Sequence, residues 1–448
     1  MRLKEALRID NPISIALVGA GGKTSTLFNL GKQLGQKVIL ATSTHLAVSE
    51  ARLADRHVIL GQDTTDETIS SSIVQGVTLF TGNPIADNFR IAGLSRSTLD
   101  KLWEFAKREG YYLIVEADGS RRLPVKAPAD HEPPIPSWVD LVLVSIGLSG
   151  LGNSVDEEHV FRTEQYLALS GLKCGQKLDC DSMVKVLTHP KGGLKNIPKT
   201  SRRSVILNQV DTQEQFDVAG KMAKKLLNAY DAVVVNSYQT AMPESDSVKS
   251  VYEKIAGIIL AGGESRRYGV PKALLDWDGK PLIRHVVETA LRSGLDPVVV
   301  VLGAVDQPIR GVLTDLPVHF VLNTAWENGQ STSVAAGIEA LEKYVGGAII
   351  LMADQPQIPV ELIHSLMTQH YSTRAQIIAP VTQGHRSSPV LMDRKMFDDL
   401  KMISGDTGGR AIFNRHSVLD LQWDNPDDLF DIDTPDDYQH LLELNKRP

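Results

Sequence analysis

Apolar runs of strand length recur along the chain, separated by stretches whose apolar residues repeat at helical spacing. In the first half they are Ile15–Val18, Lys37–Ala41, Tyr112–Glu116, Leu141–Ser145, Val205–Asn208 and Ala232–Asn236. In the second half they are Gly257–Leu260, Pro297–Leu302, His319–Leu322, Gly347–Met352 and Ile377–Pro380. Such continuous runs suit strands buried on both faces, and their alternation with helices predicts parallel α/β sheets. The polar stretch Ser237–Ser247 interrupts the pattern, and a short helical segment, Val248–Ala256, is expected after it. A domain boundary is placed there, giving two doubly wound α/β domains over residues 1–245 and 255–448. Residues 176–203, punctuated by Gly192-Gly193 and Pro198, read as a small helical insertion.

Composition bounds the picture without changing it. A length of 448 residues suits about two or three domains. The formal charge of -7 argues against a general nucleic-acid or membrane-surface binder, which would carry a basic face. The N-terminus lacks a secretory pattern, and no apolar run approaches the ~18 residues of a membrane span. The two cysteines, Cys174 and Cys180, fit no zinc or redox spacing, so a reducing cytoplasm is expected.

Two glycine loops carry the candidate chemistry. Ile15–Thr26 reads as strand, glycine loop, Lys-Thr, helix. Leu17 stands where the long Walker A motif has its first glycine, so the strict motif fails, but Gly19-Ala-Gly-Gly-Lys-Thr24 matches the shorter G-x-x-G-K-T of the Mur-ligase type of P-loop. Backbone N–H groups of Gly19, Gly21 and Gly22 would cradle phosphate at a helix N-terminus, Lys23 would reach the β/γ-phosphates, and Thr24 would ligate Mg²⁺. A glycine turn with an exposed lysine would give the same string. The strand Tyr112–Glu116 ends in Glu116 and Asp118, placed as metal-holding Walker B acids would be. Asn208-Gln-Val-Asp211 resembles the guanine-reading N-K-x-D with glutamine for lysine; Asn208 and Asp211 are nucleotide-binding candidates, with ATP or GTP as the ligand, though a capped strand end explains them equally. His45, His131 and Glu132 fit loop or core roles better than metal ligation.

The second loop follows Gly257–Leu260. The candidate binding groups are Leu260, Ala261, Gly262, Gly263 and Ser265, with Arg267 and Lys272 supplying positive charge. A tight turn with a solvated basic loop is the plain alternative. Asp354 closes a buried apolar run, and Asp433 lies in the acidic stretch Asp431–Asp437; two carboxylates at strand ends could share Mg²⁺ against a triphosphate. Thr434, Pro435, Asp436 and Asp437 also read as a capped helix start.

LAGGESRRYGVPKALL, from Leu260 to Leu275, resembles the signature of the sugar- and pterin-nucleotidyltransferases, with Tyr268 where methionine is usual. Asn323–Ser333, Ala353–Pro356, Ser404–Arg410 and Asp431–Pro435 are similar to segments of the molybdenum cofactor cytidylyltransferases. The resemblance implies a Rossmann-like nucleotidyltransferase fold and transfer of CMP from CTP to molybdopterin, with release of pyrophosphate. Arg267, Lys272 and Asp354 would be catalytic and Asp354 and Asp433 would hold Mg²⁺. Gly262 is often alanine in the cytidylyl branch and glycine in the guanylyl branch, so GTP stays open, and Arg386-Ser387-Ser388 departs from the family's shorter turn. Guanylyl or sugar-phosphate nucleotidyl transfer, and a non-catalytic cofactor chaperone, are the alternatives. Gly19–Thr24, Thr42–His45, Glu116–Pro124 and Lys126–Pro133 resemble the YqeC-like family, which implies a role beside selenium-dependent molybdenum hydroxylases, while the glycine loop itself points to a P-loop-like NTPase fold. An apo molybdenum hydroxylase is the expected client, and the C-terminal half is expected to act alone.

Overall fold

In the computed structural model the apolar runs stand as strands of two main sheets. The structure describes all residues except 62, 86–88, 240–245, 264–270, 407 and 445–448. The chain divides into two units, Met1–Tyr252 and Glu253–Pro448.

The N-terminal sheet has strands β1 Ser14–Gly19, β2 Val38–Thr42, β3 Arg56–Ile59, β4 Val77–Thr81, β5 Tyr112–Glu116, β6 Leu141–Gly147, β7 Arg202–Asn208, β8 Ala232–Asn236 and β9 Val248–Glu253. Their order is β9-β8-β7-β6-β1-β5-β2-β4-β3, and from β8 to β3 every neighbouring pair is parallel. Period-2 alternation sorts the strand residues onto two apolar faces. Ala16, Val18, Val142, Val144 and Val205 face one side, and Ile15, Leu17, Leu141, Leu143 and Ile206 the other. Helix α1, Lys23–Leu34, covers the second face through Leu27, Phe28 and Leu30. Helices α2, Arg96–Glu109, and α3, Gln213–Leu226, cover the first. Burial on both faces is why the inner strands read as continuous apolar runs.

Two expectations are corrected here. Val248–Glu253 is a strand and not the start of a helix: Lys249 is exposed while Val248, Ser250 and Val251 are buried, a near-alternating pattern suited to a sheet edge. Residues 176–203 are not a separate insertion, because Leu178, Met183, Val186 and Leu187 join the main core around a helix over Cys180–Leu187.

The C-terminal sheet has strands β10 Ile255–Ala261, β11 Val298–Leu302, β12 His319–Leu322, β13 Gly347–Met352, β14 Ile377–Thr382, β15 His385–Arg386, β16 Val390–Asp393 and β17 Val418–Gln422. The order is β12-β11-β10-β13-β16-β14-β15, with β17 also paired to β14. β10, β11, β12 and β13 are mutually parallel, but β16 runs antiparallel between β13 and β14. The sheet is therefore mixed and not uniformly parallel as the sequence pattern suggests. The cause is local. Gln383 and Gly384, with φ of 50° and 81°, make a two-residue hairpin between β14 and β15, and so short a connection can only send the chain back antiparallel. Helices α4 Leu282–Arg292, α5 Gln330–Glu339, α6 Val360–Thr373 and α7 Pro435–Leu444 are among the helices of this unit.

Candidate functional site

In the C-terminal unit, strand ends converge on a cavity of about 930 Å³. Leu260 and Ala261 end β10 and Gly262 and Gly263 follow; Ala353 and Asp354 follow β13; Trp326 and Gln330 come from the turn into α5. A Cβ at Gly262 would stand 2.9 Å from Ser333 Oγ, so that hydroxyl would have to shift to admit one. That hydroxyl is fixed: Asn323 Nδ2 donates to Ser333 Oγ (3.0 Å) and to Thr332 Oγ1 (2.8 Å). Ser265 and Arg267 lie outside the described residues.

Lys272 draws together carboxylates far apart in sequence. Its ammonium donates to Asp354 Oδ2 (2.8 Å), Asp433 Oδ1 (3.1 Å) and the Ile432 carbonyl (2.8 Å). Burial pushes the Lys272 pKa down, but Asp354 and Asp433 outweigh it and hold the pKa above its ordinary value. The later aspartates do a different task. Asp437 accepts from Thr434 N and Thr434 Oγ1, and its own N–H donates back to Thr434 Oγ1, which caps α7.

A second cavity of about 500 Å³ adjoins the first. Leu260, Gln330, Met352, Asp354 and Asp433 belong to the walls of both. The smaller cavity adds Arg410 and Asp431 to an apolar lining of Ile350, Val390 and Met392. Burial, then the charges of Asp354 and Asp433, push the Asp431 carboxyl above its usual range. Two glutamines position this loop: buried Gln355 Nε2 donates to Asp431 Oδ1 (2.7 Å) and half-buried Gln357 Nε2 to the Phe430 carbonyl (2.6 Å). Gln330, Arg410 and Asp431 were not singled out from sequence. Gln330 is the one uncharged hydrogen-bond donor among the shared wall residues. Among the described residues its amide donates only to the Met352 sulfur (3.4 Å), a weak acceptor.

In the N-terminal unit the glycine loop joins β1 to α1 with φ of 97°, 67° and 94° at Gly19, Gly21 and Gly22. A Cβ at Gly21 would stand 2.2 Å from Gly147 N, so backbone fills the space. The first N–H groups of the loop are already satisfied internally. Gly19 donates to Asp118, Ala20 to the Ser145 carbonyl and Gly21 to the Leu123 carbonyl. An anion at this loop would therefore meet Gly22 and the first turn of α1, and not Gly19 or Gly21 as the motif suggests. Lys23 curls back to donate to the Gly19 carbonyl (2.6 Å) and stands 3.5 Å from Asp118 and 3.9 Å from Glu116. Thr24 Oγ1 donates to Glu116 Oε2 (3.1 Å). Burial raises the Glu116 pKa to about 7, against the opposing pull of Lys23 and Thr24. Lys126 extends the network, donating to Asp118 (2.7 Å) and Glu132 (3.1 Å).

Asn208 and Asp211 border one cavity of about 350 Å³ but are held differently. Asn208 is fully buried, and its amide donates to the Gly21 carbonyl (3.0 Å) and Ser145 Oγ (3.1 Å), bracing the loop. Asp211 lines that cavity with Asn208, Gly22, Ser25, Gln209 and Tyr238. His45 and His131 are exposed, and no group of three or more metal-ligating side chains occurs among the described residues. No helix among them is long and apolar enough to cross a membrane.

The C-terminal strand ends and their glycine loop define a nucleotidyltransferase: residues 257–420 match the MobA-like NTP transferase domain. Residues 15–164 match the YqeC protein family. The chain belongs to the YqeC family, joined to a MobA-like NTP transferase domain. It is 32% identical over 218 residues to YqeC of Escherichia coli K12, covering 48% of this chain and 83% of that one. It is 29% identical over 197 residues to nicotine blue oxidoreductase of Paenarthrobacter nicotinovorans, covering 42% and 96%. It is 30% identical over 138 residues to a "Probable molybdenum cofactor guanylyltransferase" of Bacillus cereus, covering 31% and 66%.

Proposed function

We propose that the C-terminal unit transfers CMP from CTP to the terminal phosphate of molybdopterin, in the cytoplasm, for an apo molybdenum hydroxylase client. The observation that carries this reading is the wall shared by two cavities, in which Asp354, Asp433 and Gln330 stand between a large chamber and a smaller one. The large chamber, floored by Leu260–Gly263, suits a nucleoside triphosphate. The smaller one, with Arg410, suits an acceptor ending in phosphate. An acceptor phosphate oxygen attacks the α-phosphorus, and the bond to the bridging oxygen breaks as pyrophosphate leaves. Catalysis of this kind is mostly positioning and electrostatic stabilisation. Lys272 and, by sequence, Arg267 offset charge on the phosphates. The hard oxygens of Asp354 and Asp433, already gathered on one cation, fit Mg²⁺, which would offset charge on the leaving pyrophosphate.

The choice of base rests on the resemblance of Asp354-Gln-Pro356 and Gln383–Leu391 to the cytidylyl branch, which favours CTP. Glycine at 262 counts toward GTP only weakly, because Ser333 Oγ leaves little room for an alanine there whatever the base. The guanylyltransferase relative keeps GTP as a second reading, and the nicotine blue oxidoreductase relative keeps a redox reaction as a third. Incubating the protein with molybdopterin and each NTP, and weighing the product, tests this. A cytosine dinucleotide with pyrophosphate is expected. A guanine dinucleotide moves the base. Absence of any dinucleotide, with hydroxylase activation intact in Asp354→Asn, leaves a chaperone.

For the N-terminal unit we propose a P-loop that binds ATP or GTP. The support is the glycine loop leading into Lys23 and Thr24, with Glu116 and Asp118 at the next strand end. Thr24 Oγ1 and Glu116 would hold Mg²⁺ there.

A further inference from the structure

The motif Glu116–Pro124 contains two residues that the nucleotide reading leaves without a role, Arg121 and Arg122. Leu123 N donates to the Ser120 carbonyl (3.0 Å), closing a β-turn with the two arginines at its centre. Their φ angles are 51° and 63°. A turn with positive φ at both central positions selects asparagine or glycine, and long side chains avoid it. The residues that follow hold the turn in place: Gly21 N donates to the Leu123 carbonyl (3.2 Å) and Gly147 N to the Pro124 carbonyl (2.8 Å). The turn is thus fastened to the glycine loop itself. Arg122 reaches Glu50 Oε1 at 3.3 Å with its side chain 76% exposed, a weak resting partner. Arg121 lies over the Phe161 ring (5.2 Å), as do Lys126 and Arg162. Strained non-glycine backbone persists where the surroundings over-determine it, most often at functional sites.

We propose that Arg122, supported by Arg121, is a clamp acting in cis on the terminal phosphate of a nucleoside triphosphate held at Gly22–Thr24, and that the N-terminal unit hydrolyses that nucleotide. The inference rests on the P-loop reading given above. A water oxygen attacks the γ-phosphorus, the bond to the β–γ bridging oxygen breaks, and the diphosphate leaves with the electron pair. The water's proton passes to phosphate or solvent. Arg122 exchanges Glu50 for γ-phosphoryl oxygens, where a forked donor stabilises the developing charge.

The test uses the full chain with MgATP and MgGTP, following phosphate release, equilibrium binding and Tm. Arg122→Asn and Arg121→Asn remove the charge while tolerating the backbone. For Arg122→Asn, phosphate release is expected to fall on the order of 10³-fold. Affinity for the diphosphate should stay within about twofold and Tm should hold or rise as the turn relaxes. Arg122→Lys should rescue little, because a point charge replaces a fork. Phosphate release within about threefold of wild type in Arg122→Asn overturns the clamp, since an arginine of this kind contributes far more. So does a loss accompanied by a fallen Tm and lost diphosphate affinity, which marks a structural role. Wild type that binds triphosphate without releasing phosphate overturns the hydrolysis. Wild type that binds neither nucleotide overturns the P-loop reading instead.

Discussion

Replacing Gly262 by alanine tests how the C-terminal loop is built. The φ of Gly262 is not in the left-handed region, so alanine meets no backbone penalty. Losing a glycine should by itself stabilise the fold by about 0.4–1 kcal/mol through the unfolded chain. Against this, the new Cβ would stand 2.9 Å from Ser333 Oγ, which must rotate and give up its bond from Asn323 Nδ2. That bond is worth about 0.5–1.5 kcal/mol, and Asn323 keeps its second bond to Thr332. The two terms nearly cancel, leaving Gly262→Ala between neutral and about 1 kcal/mol destabilising. In a Ser333→Ala background the obstacle is gone and only the favourable term remains. The same substitution should then stabilise, with a coupling of roughly 1 kcal/mol between the two sites. Denaturation of the four proteins, read on the transition of the C-terminal unit, measures it; Tm differences of about 2–4 °C per kcal/mol are expected. An effect of the same sign and size in both backgrounds would falsify the argument. Product mass from CTP and GTP, measured on the same proteins, shows whether the loop's steric fit and its choice of base are separable.

Three further outcomes follow from the geometry. Asp354→Asn should lower pyrophosphate release by about 10²–10³-fold with little change in folding, since Lys272 retains Asp433 and the Ile432 carbonyl; a rate within threefold of wild type contradicts the assignment. Gln330→Leu should lower kcat by about tenfold or more while the KM for nucleotide holds, because a donor between the two cavities is lost without a change in shape; an unchanged kcat removes Gln330 from the reaction. Glu116 has a folded pKa of about 7, raised above its unfolded value, so its contribution is fully present below about pH 4.5 and is lost as pH rises through 7. The Tm of the N-terminal transition should therefore fall across that window relative to Glu116→Gln, by an amount equivalent to at most roughly 3 kcal/mol, and parallel curves for the two proteins would refute it.

What could be read from the sequence was whatever is decided locally. Tyr112–Glu116, Ala232–Asn236 and Gly347–Met352 stand with the bounds their apolar runs predict, because strands buried on both faces leave an unbroken signature. Arg56–Ile59 left none, since a mostly exposed edge strand needs no apolar run. The site divides along the same line. Each glycine loop is visible because strand, turn and helix are contiguous. The grouping of Lys272 with Asp354 and Asp433 joins residues 82 and 161 positions apart, which only the sheet order brings together. Direction is harder still. Asn208 has the residue type of a base reader, but β7 lies two strands from β1, beyond β6, and its amide hydrogen-bonds into the glycine loop, so that it braces the loop even though it borders the same cavity as Asp211. The same holds for the loop's N–H groups. A motif counts them all as phosphate ligands, whereas Ser145 and Leu123, more than 100 residues beyond the loop, accept from two of them. Phosphate affinity at this loop should therefore depend on the first turn of α1 and not on how many glycines precede it.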